Sequence, residues 1–264
     1  MKEELIEQAR RVSDITGRTN VARQYLQRQI LASLSGSQAF RSLAFVGGTC
    51  LRFVCDLKRY SEDMDFTVES AEHYQPLQWI EDIRLALTHQ GFSPDVSWKQ
   101  RRAVDFGWVK VPGLLQELGS AATRDQRLGI KIEVDRNPPA GARCVTSALT
   151  VPRLIAVRHH DMPSLMAGKL NAVLSRPYAK GRDWYDLLWY LAGKTEPNLV
   201  LLANGLIQNP SRFCVEAGHW REGVLQRLAA LDWLVVVQDV RPFLEDPAEL
   251  EAFAPDTVRA MLER

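Results

Sequence analysis

One stretch constrains the fold of this chain more than any other: residues 45–66, reading FVGGTCLRFVCDLKRYSEDMDF. The apolar run Leu43-Ala44-Phe45-Val46 has the look of a buried strand and runs into Gly47-Gly48-Thr49. From Cys50 to Leu57 the apolar residues recur at helical spacing. Paired glycines after a strand permit a tight turn and leave no side chain between backbone and ligand. A helix that starts there aims free N–H groups at the turn, a setting that suits phosphate. Beyond a short basic link comes Ser61-Glu62-Asp63-Met64-Asp65-Phe66. Asp63 and Asp65, two residues apart, share one face of a strand, while Met64 and Phe66 turn to the core. Carboxylates that close repel unless a cation lies between them, and their hard oxygens suit Mg²⁺ or Mn²⁺. The pattern is a phosphate cradle beside a divalent-metal site, as nucleotide chemistry requires.

In that order, the glycine pair, the helix and the acidic-x-acidic strand resemble the core motif of the DNA polymerase β-like nucleotidyltransferases. GGTCLR followed by SEDMDF is more narrowly similar to the AbiEii/AbiGii toxin family, the nucleotidyltransferase toxins of abortive-infection and toxin–antitoxin systems. A second element, KLNAVLSR followed by GRDWYDLLWYL, also resembles that family. The resemblance is strong over 43–69 and 164–191, weak over 92–135 and not seen in 197–264. It implies an α/β (α+β) fold with a polymerase β-like nucleotidyltransferase core. That core would hold a small mixed sheet and be followed by a helical C-terminal domain. It implies a nucleotidyl transfer from an NTP, with Mg²⁺ (or Mn²⁺) as cofactor. It also implies a phage-defence or toxin–antitoxin role, and a cognate antitoxin as partner. Relatives modify RNA, including tRNA 3′ ends, so a tRNA acceptor is expected.

Carried residue by residue, the resemblance makes Asp63 and Asp65 metal ligands. Glu133 is the third carboxylate, ligand or base, with Asp135 as the alternative. Gly47, Gly48, Thr49, Arg52 and Ser61 contact the nucleotide. Lys169 clamps the triphosphate and counts among the catalytic residues. Arg176, Asp183 and Asp186 complete the nucleotide site, the two carboxylates either acting directly or supporting Lys169 and Arg176. Asp183 also suits the first turn of a helix without any function.

The rest of the chain adds bounds. Its 264 residues suffice for a domain of residues 1–150 and another of 151–264, with the boundary at Val151-Pro152 and the active site expected in a cleft between them. A net charge of +1 excludes a global nucleic-acid footprint, so any RNA grip must be local. Lys99, Arg101, Arg102, Lys110, Arg124 and Arg127, with Trp98, Phe106 and Trp108 among them, form the best such patch. The same alternation also describes a half-buried strand. Four scattered cysteines without zinc spacing, no signal region and no membrane-length apolar run point to a cytoplasmic chain.

Helices are expected over 3–15, 20–34, 73–90 and 164–176, and strands over 92–98, 104–111, 128–134 and 144–150. Segment 152–159 reads as a helix or turn, and His159-His160-Asp161 as a polar loop. Arg23 and Arg28 read as a solvated helix face. For Lys58-Arg59, solvation and phosphate binding are both open. Trp184, Tyr185 and Tyr190 read as core. Two alternatives to RNA modification stand: a nucleotidyltransferase acting on a protein or small molecule, and a catalytically idle nucleotide-binding partner protein.

Overall fold

A computed structural model describes residues 1–121, 123, 125–150, 152–214 and 216–263. Arg124, assigned above to the basic patch, and Val151, at the expected boundary, lie outside the described residues. The chain is mixed α/β. Its elements run α1 (Lys2–Arg10), α2 (Ile15–Gly36), β1 (Leu43–Val46), α3 (Gly47–Val54), β2 (Met64–Val68), α4 (Pro76–His89), β3 (Asp95–Lys99), β4 (Val104–Pro112), α5 (Leu114–Glu117), β5 (Arg127–Asp135), β6 (Cys144–Leu149) and β7 (Ile155–His160). Then come α6 (Met162–Ser175), α7 (Gly181–Ala192), α8 (Leu199–Gln208), α9 (Trp220–Ala229), α10 (Trp233–Val240) and α11 (Pro255–Leu262). Among the described residues no helix is long and apolar enough to cross a membrane.

The chain forms two compact units interleaved in sequence: residues 1–56, 60–138 and 146–159 in the first, and 57–59, 139–145 and 160–264 in the second.

The first unit is built on a seven-stranded sheet of order β3-β4-β5-β2-β1-β7-β6, larger than the small sheet expected. β1 runs antiparallel to β2 and parallel to β7, and β2 runs parallel to β5. Alternation along β2, β4 and β5 buries Met64, Phe66, Val109, Val111, Ile130, Ile132 and Val134 on one face. Helices α2 and α4 pack against each other, α2 also against β5 and α4 against β3.

Two sequence expectations fail at helix starts. The second helix does not wait until residue 20: α2 begins at Ile15 and runs through Gly17, capped by Asp14, whose side chain accepts from the Gly17 N–H. A Cβ at Gly17 would lie 2.7 Å from that carboxylate, so the cap itself requires glycine. Helix α4 begins only at Pro76 and leaves Leu77 exposed, while Trp79, Ile80, Ile83 and Leu87 face inward. Gly91 does close it, at φ +89.

The segment read as a helix or turn after Pro152 is strand β7, paired in parallel with β1 at Phe45↔His159. His159 and His160 are therefore not in a loop: they end this strand and are buried. Asp161 caps α6 by accepting from the Ser164 N–H.

In the second unit α6 packs on α7, α8 and α9, and α7 on α10 and α11. Trp184, Tyr185 and Tyr190 are core, as expected, with the Trp184 ring edge-on to Trp233 at 6.0 Å. Gly181 lets α7 approach α10 closely, since a Cβ there would sit 1.9 Å from the Val236 carbonyl oxygen.

Candidate active site

In the first unit, strand register brings the acidic residues together. Asp65 on β2 is the partner of Val46 on β1 and of Glu133 on β5. Paired residues of neighbouring strands point to the same face, so the Asp65 and Glu133 carboxylates share the face opposite buried Met64 and Phe66. Asp63 lies one residue before β2. All three acidic residues are half-buried. Asp135 is two positions further along β5 and accepts from the Asn137 N–H at 2.9 Å, capping the turn that follows; burial raises its pKa above the ordinary value. Glu133, in the row of Asp65, is the better-placed third carboxylate.

The glycine turn is shaped around Asp65. Gly47 has φ +75, and a Cβ there would fall 2.2 Å from the Asp65 carboxylate oxygen. A side chain is excluded both by the backbone conformation and by this contact. Helix α3 starts at this glycine, and the Val46 side chain does not cap it.

Two buried side chains hold the acidic loop from behind. Thr49, expected at the nucleotide, is fully buried, and its hydroxyl donates to the Asp63 carbonyl. Gln27 on α2 donates to the Ser61 and Glu62 carbonyls, each at 3.0 Å. Gln27 escaped the sequence reading because nothing in helical periodicity marks a buried glutamine as a loop anchor.

Cations surround this loop. Arg23 and Arg28 are not a solvated face. Arg23 reaches Glu62 at 3.6 Å and Asn20 at 3.0 Å, and Arg28 is half-buried over the Phe53 ring. Burial, then the neighbouring Arg52 charge, lowers the Arg28 pKa. Arg52 donates to Gln24 at 2.9 Å and lies over Tyr60. Lys131, two residues before Glu133 and on the same face, pairs with the Glu133 carboxylate.

The second unit holds the other group. Lys169 on α6 donates to Asp183 at 2.7 Å and contacts Asp186 at 2.8 Å. Arg176, at the end of α6, pairs with Asp183. The structure thus brings Lys169, Arg176, Asp183 and Asp186 into one cluster. Arg59 completes it: its guanidinium meets Asp186 with two bonds of 2.6 Å. Arg59 is 2% exposed and Asp186 0%, so the solvated reading of Arg59 is overturned. A fork-to-fork geometry of this kind is the strongest form of arginine–carboxylate pairing.

Desolvation opposes charge on Asp183 and Lys169, but their partners outweigh it: Asp183 is held below the usual carboxylate range, and Lys169 above the usual lysine range. Lys180, the residue before α7, is pushed down by burial and then by nearby Arg182, with Arg176 and Lys169 adding to the effect. Four cations, Arg59, Lys169, Arg176 and Lys180, stand against the carboxylates of Asp183 and Asp186, a positive excess in which Arg176 and Lys180 are the more open members. Lys180 went unnoticed in sequence because it lies just outside the RDxxD element.

Comparison with known proteins agrees with this architecture. No curated protein matches the chain. A solved protein from H. pylori, provisionally assigned as a nucleotidyltransferase, is similar over 90% of each chain at 18% identity and a TM-score of 0.53, a likeness of fold. JHP933 from Helicobacter pylori aligns over 92% of this chain and 90% of its own, with 15% identity and a TM-score of 0.49. The family described as "Nucleotidyl transferase AbiEii toxin, Type IV TA system" matches residues 29–258, and so takes in most of the tail in which no resemblance was seen. The chain is therefore a nucleotidyltransferase, and it belongs to the AbiEii toxin family.

Proposed function

We propose that this enzyme transfers a nucleoside monophosphate from an NTP to an RNA acceptor, the 3′ end of tRNA, as the toxin of a toxin–antitoxin pair with a cognate antitoxin. The observation that carries the reading is the β2–β5 register. It sets Asp65 beside Glu133 on one face, with the Gly47 backbone pressed against Asp65.

The donor set fits a divalent cation. Asp63 and Asp65 offer only hard oxygens, and the missing side chain at Gly47 gives the Asp65 carboxylate room beside the turn. These two residues would hold Mg²⁺ or Mn²⁺, with Glu133 as a third ligand. The ion would supply polarisation of the α-phosphate and charge neutralisation of the pyrophosphate.

The chain's own groups have separable tasks. The N–H groups of Gly47 and Gly48 would donate to phosphate oxygens at the start of α3. Arg52 and Ser61 flank that position. Thr49 acts behind them, fixing the Asp63 backbone rather than touching substrate. The acceptor hydroxyl oxygen forms a bond to the α-phosphorus, the bond to the pyrophosphate oxygen breaks, and pyrophosphate leaves. The hydroxyl proton passes to Glu133, which Lys131 must first release. In the second unit Lys169 is engaged by two carboxylates, so its positive charge organises Asp183 and Asp186. Arg176 and Lys180 present the surplus charge to phosphate.

The test is incubation with total tRNA, Mg²⁺ and each of four labelled NTPs, with Asp65→Ala beside the wild type. Label entering RNA with the wild type alone is the expected result. Label entering a protein instead would move the acceptor away from RNA, and label release unaffected by Asp65→Ala would overturn the site.

A further inference from the structure

The β-sheet face that carries Asp65 and Glu133 does not stop at those residues. On β5 the same face continues backward through Lys131 and Gly129 to Arg127. On β4, the register places Phe106 beside Glu133, Trp108 beside Lys131 and Lys110 beside Gly129. On β3, Lys99 is the partner of Phe106. The opposite face of these strands is closed, with Asp105, Val109, Val111, Leu128, Ile130, Ile132 and Val134 all buried. On the open face Lys99, Lys110 and Arg127 are exposed, and both rings are half-buried.

The rings are arranged as a platform. The Trp108 six-membered ring rests against Gly129, where a Cβ would meet it at 3.3 Å. Phe106 and Trp108 are two residues apart on one strand, a separation of about 7 Å. Phe106 lies in the row of Glu133 and Asp65, so two strand spacings of about 4.8 Å separate it from Asp65. Cations border the rings: Lys131 and Arg101 lie 4.6 and 5.3 Å from the Phe106 centroid, and Lys110 5.1 Å from that of Trp108. Around the two rings the acidic groups are matched, Asp95 by Arg127 at 2.7 Å and Glu133 by Lys131, while Asp65 and Asp135 lie farther from Trp108 on the same face. Lys99, Arg101 and Lys110 therefore give the ring-bearing end of the face its positive sign, although the whole chain is nearly neutral. Rings spaced along a strand and bordered by cations bind single-stranded nucleic acid through base stacking and phosphate contacts.

We propose that this face seats the single-stranded 3′ segment of the acceptor RNA, with bases stacked on Phe106 and Trp108 and phosphates held by Lys99 and Lys110. The inference rests on the nucleotidyl-transfer reading for the position of the reacting hydroxyl, but binding can be measured without it. Fluorescence anisotropy of a 5′-labelled single-stranded RNA dodecamer with a free 3′ hydroxyl, bound to the full chain without NTP, gives the affinity directly. Trp108→Ala is expected to weaken binding about tenfold, and Trp108→Phe to restore most of it, since the ring rather than the indole N–H is used. Lys110→Gln, an exposed change that leaves folding intact, should weaken binding and lower the slope of log affinity against log salt by roughly 0.7. NTP binding, followed by thermal shift with Mg²⁺, should be unchanged in all three variants.

Equal RNA affinity in Trp108→Ala, Lys110→Gln and wild type would overturn the platform, even if labelled NMP still enters RNA. Ring-dependent RNA binding without NMP transfer would support the platform and sink the transfer reading. A wild type that ignores RNA and labels a protein would overturn both.

Discussion

Two pairs of carboxylates, Asp63 with Asp65 and Asp183 with Asp186, have the same chemistry and opposite circumstances. Asp65 is held by strand register, half-buried, and packed beside a glycine whose missing side chain gives its carboxylate room. Asp186 is entirely buried and gripped by Arg59 and Lys169. A group that must exchange partners during a reaction needs a fixed backbone and an open approach. A group that must hold helices in place needs permanent partners and exclusion from water. On the proposed function, the difference separates carboxylates that would take part in chemistry from those that would organise structure, and it is open to direct attack.

The largest effect is expected at Asp65. Asp65→Asn should lower nucleotidyl transfer at least a hundredfold while costing less stability than a change at Asp186, because Asp65 is half-buried and Asp186 is entirely buried. Asp186→Asn should do the reverse first: it strands the buried Arg59 and should cost about 3–5 kcal/mol in urea unfolding. A loss below about 1 kcal/mol there would break the distinction. Next comes acid. The Asp183 pKa lies below its ordinary 3.8 in the folded chain, so its contribution is complete above that pH. It is lost as pH falls through the folded value. Stability of the wild type should therefore fall as pH drops below 3.8, and Asp183→Asn should lessen that fall; parallel curves would refute the assignment. The smallest effect is expected for Thr49→Val, which removes one buried hydroxyl donor to Asp63. It should cost about 1 kcal/mol of stability and lower activity out of proportion, since the acidic loop loses its anchor.

What could be read in the sequence was what short-range spacing encodes. The strand, glycine turn, helix and DxD of residues 43–66 were legible because each rule there spans a few residues. The face shared by Lys169 and Arg176 was legible for the same reason. Strand β7 was not, because Pro152 suggests a helix start and the Arg158-His159-His160 sequence looks polar. In the sheet those histidines are buried, with the His159 ring bonded to the Ser147 hydroxyl at 2.8 Å. Arg59 was ambiguous because its partner, Asp186, is 127 residues away. Arg23 and Arg28 looked solvated because the carboxylate and rings that meet them belong to other elements. Short α5, only four residues long, falls below any periodicity.

The interleaving of the two units carries a consequence for how this enzyme comes into being. The backbone passes from one unit to the other at 56/57, 59/60, 138/139, 145/146 and 159/160. A ribosome that has delivered the first 138 residues has supplied every acidic residue of the sheet, yet β7, which pairs with β1, has still to be made. Arg59 waits longer, until Asp186 is translated. Contacts of such long sequence separation form late and slowly. A chain cut short before residue 160 would thus lack a complete β7 in its sheet, and one cut short before residue 186 would leave Arg59 without the carboxylate that holds it.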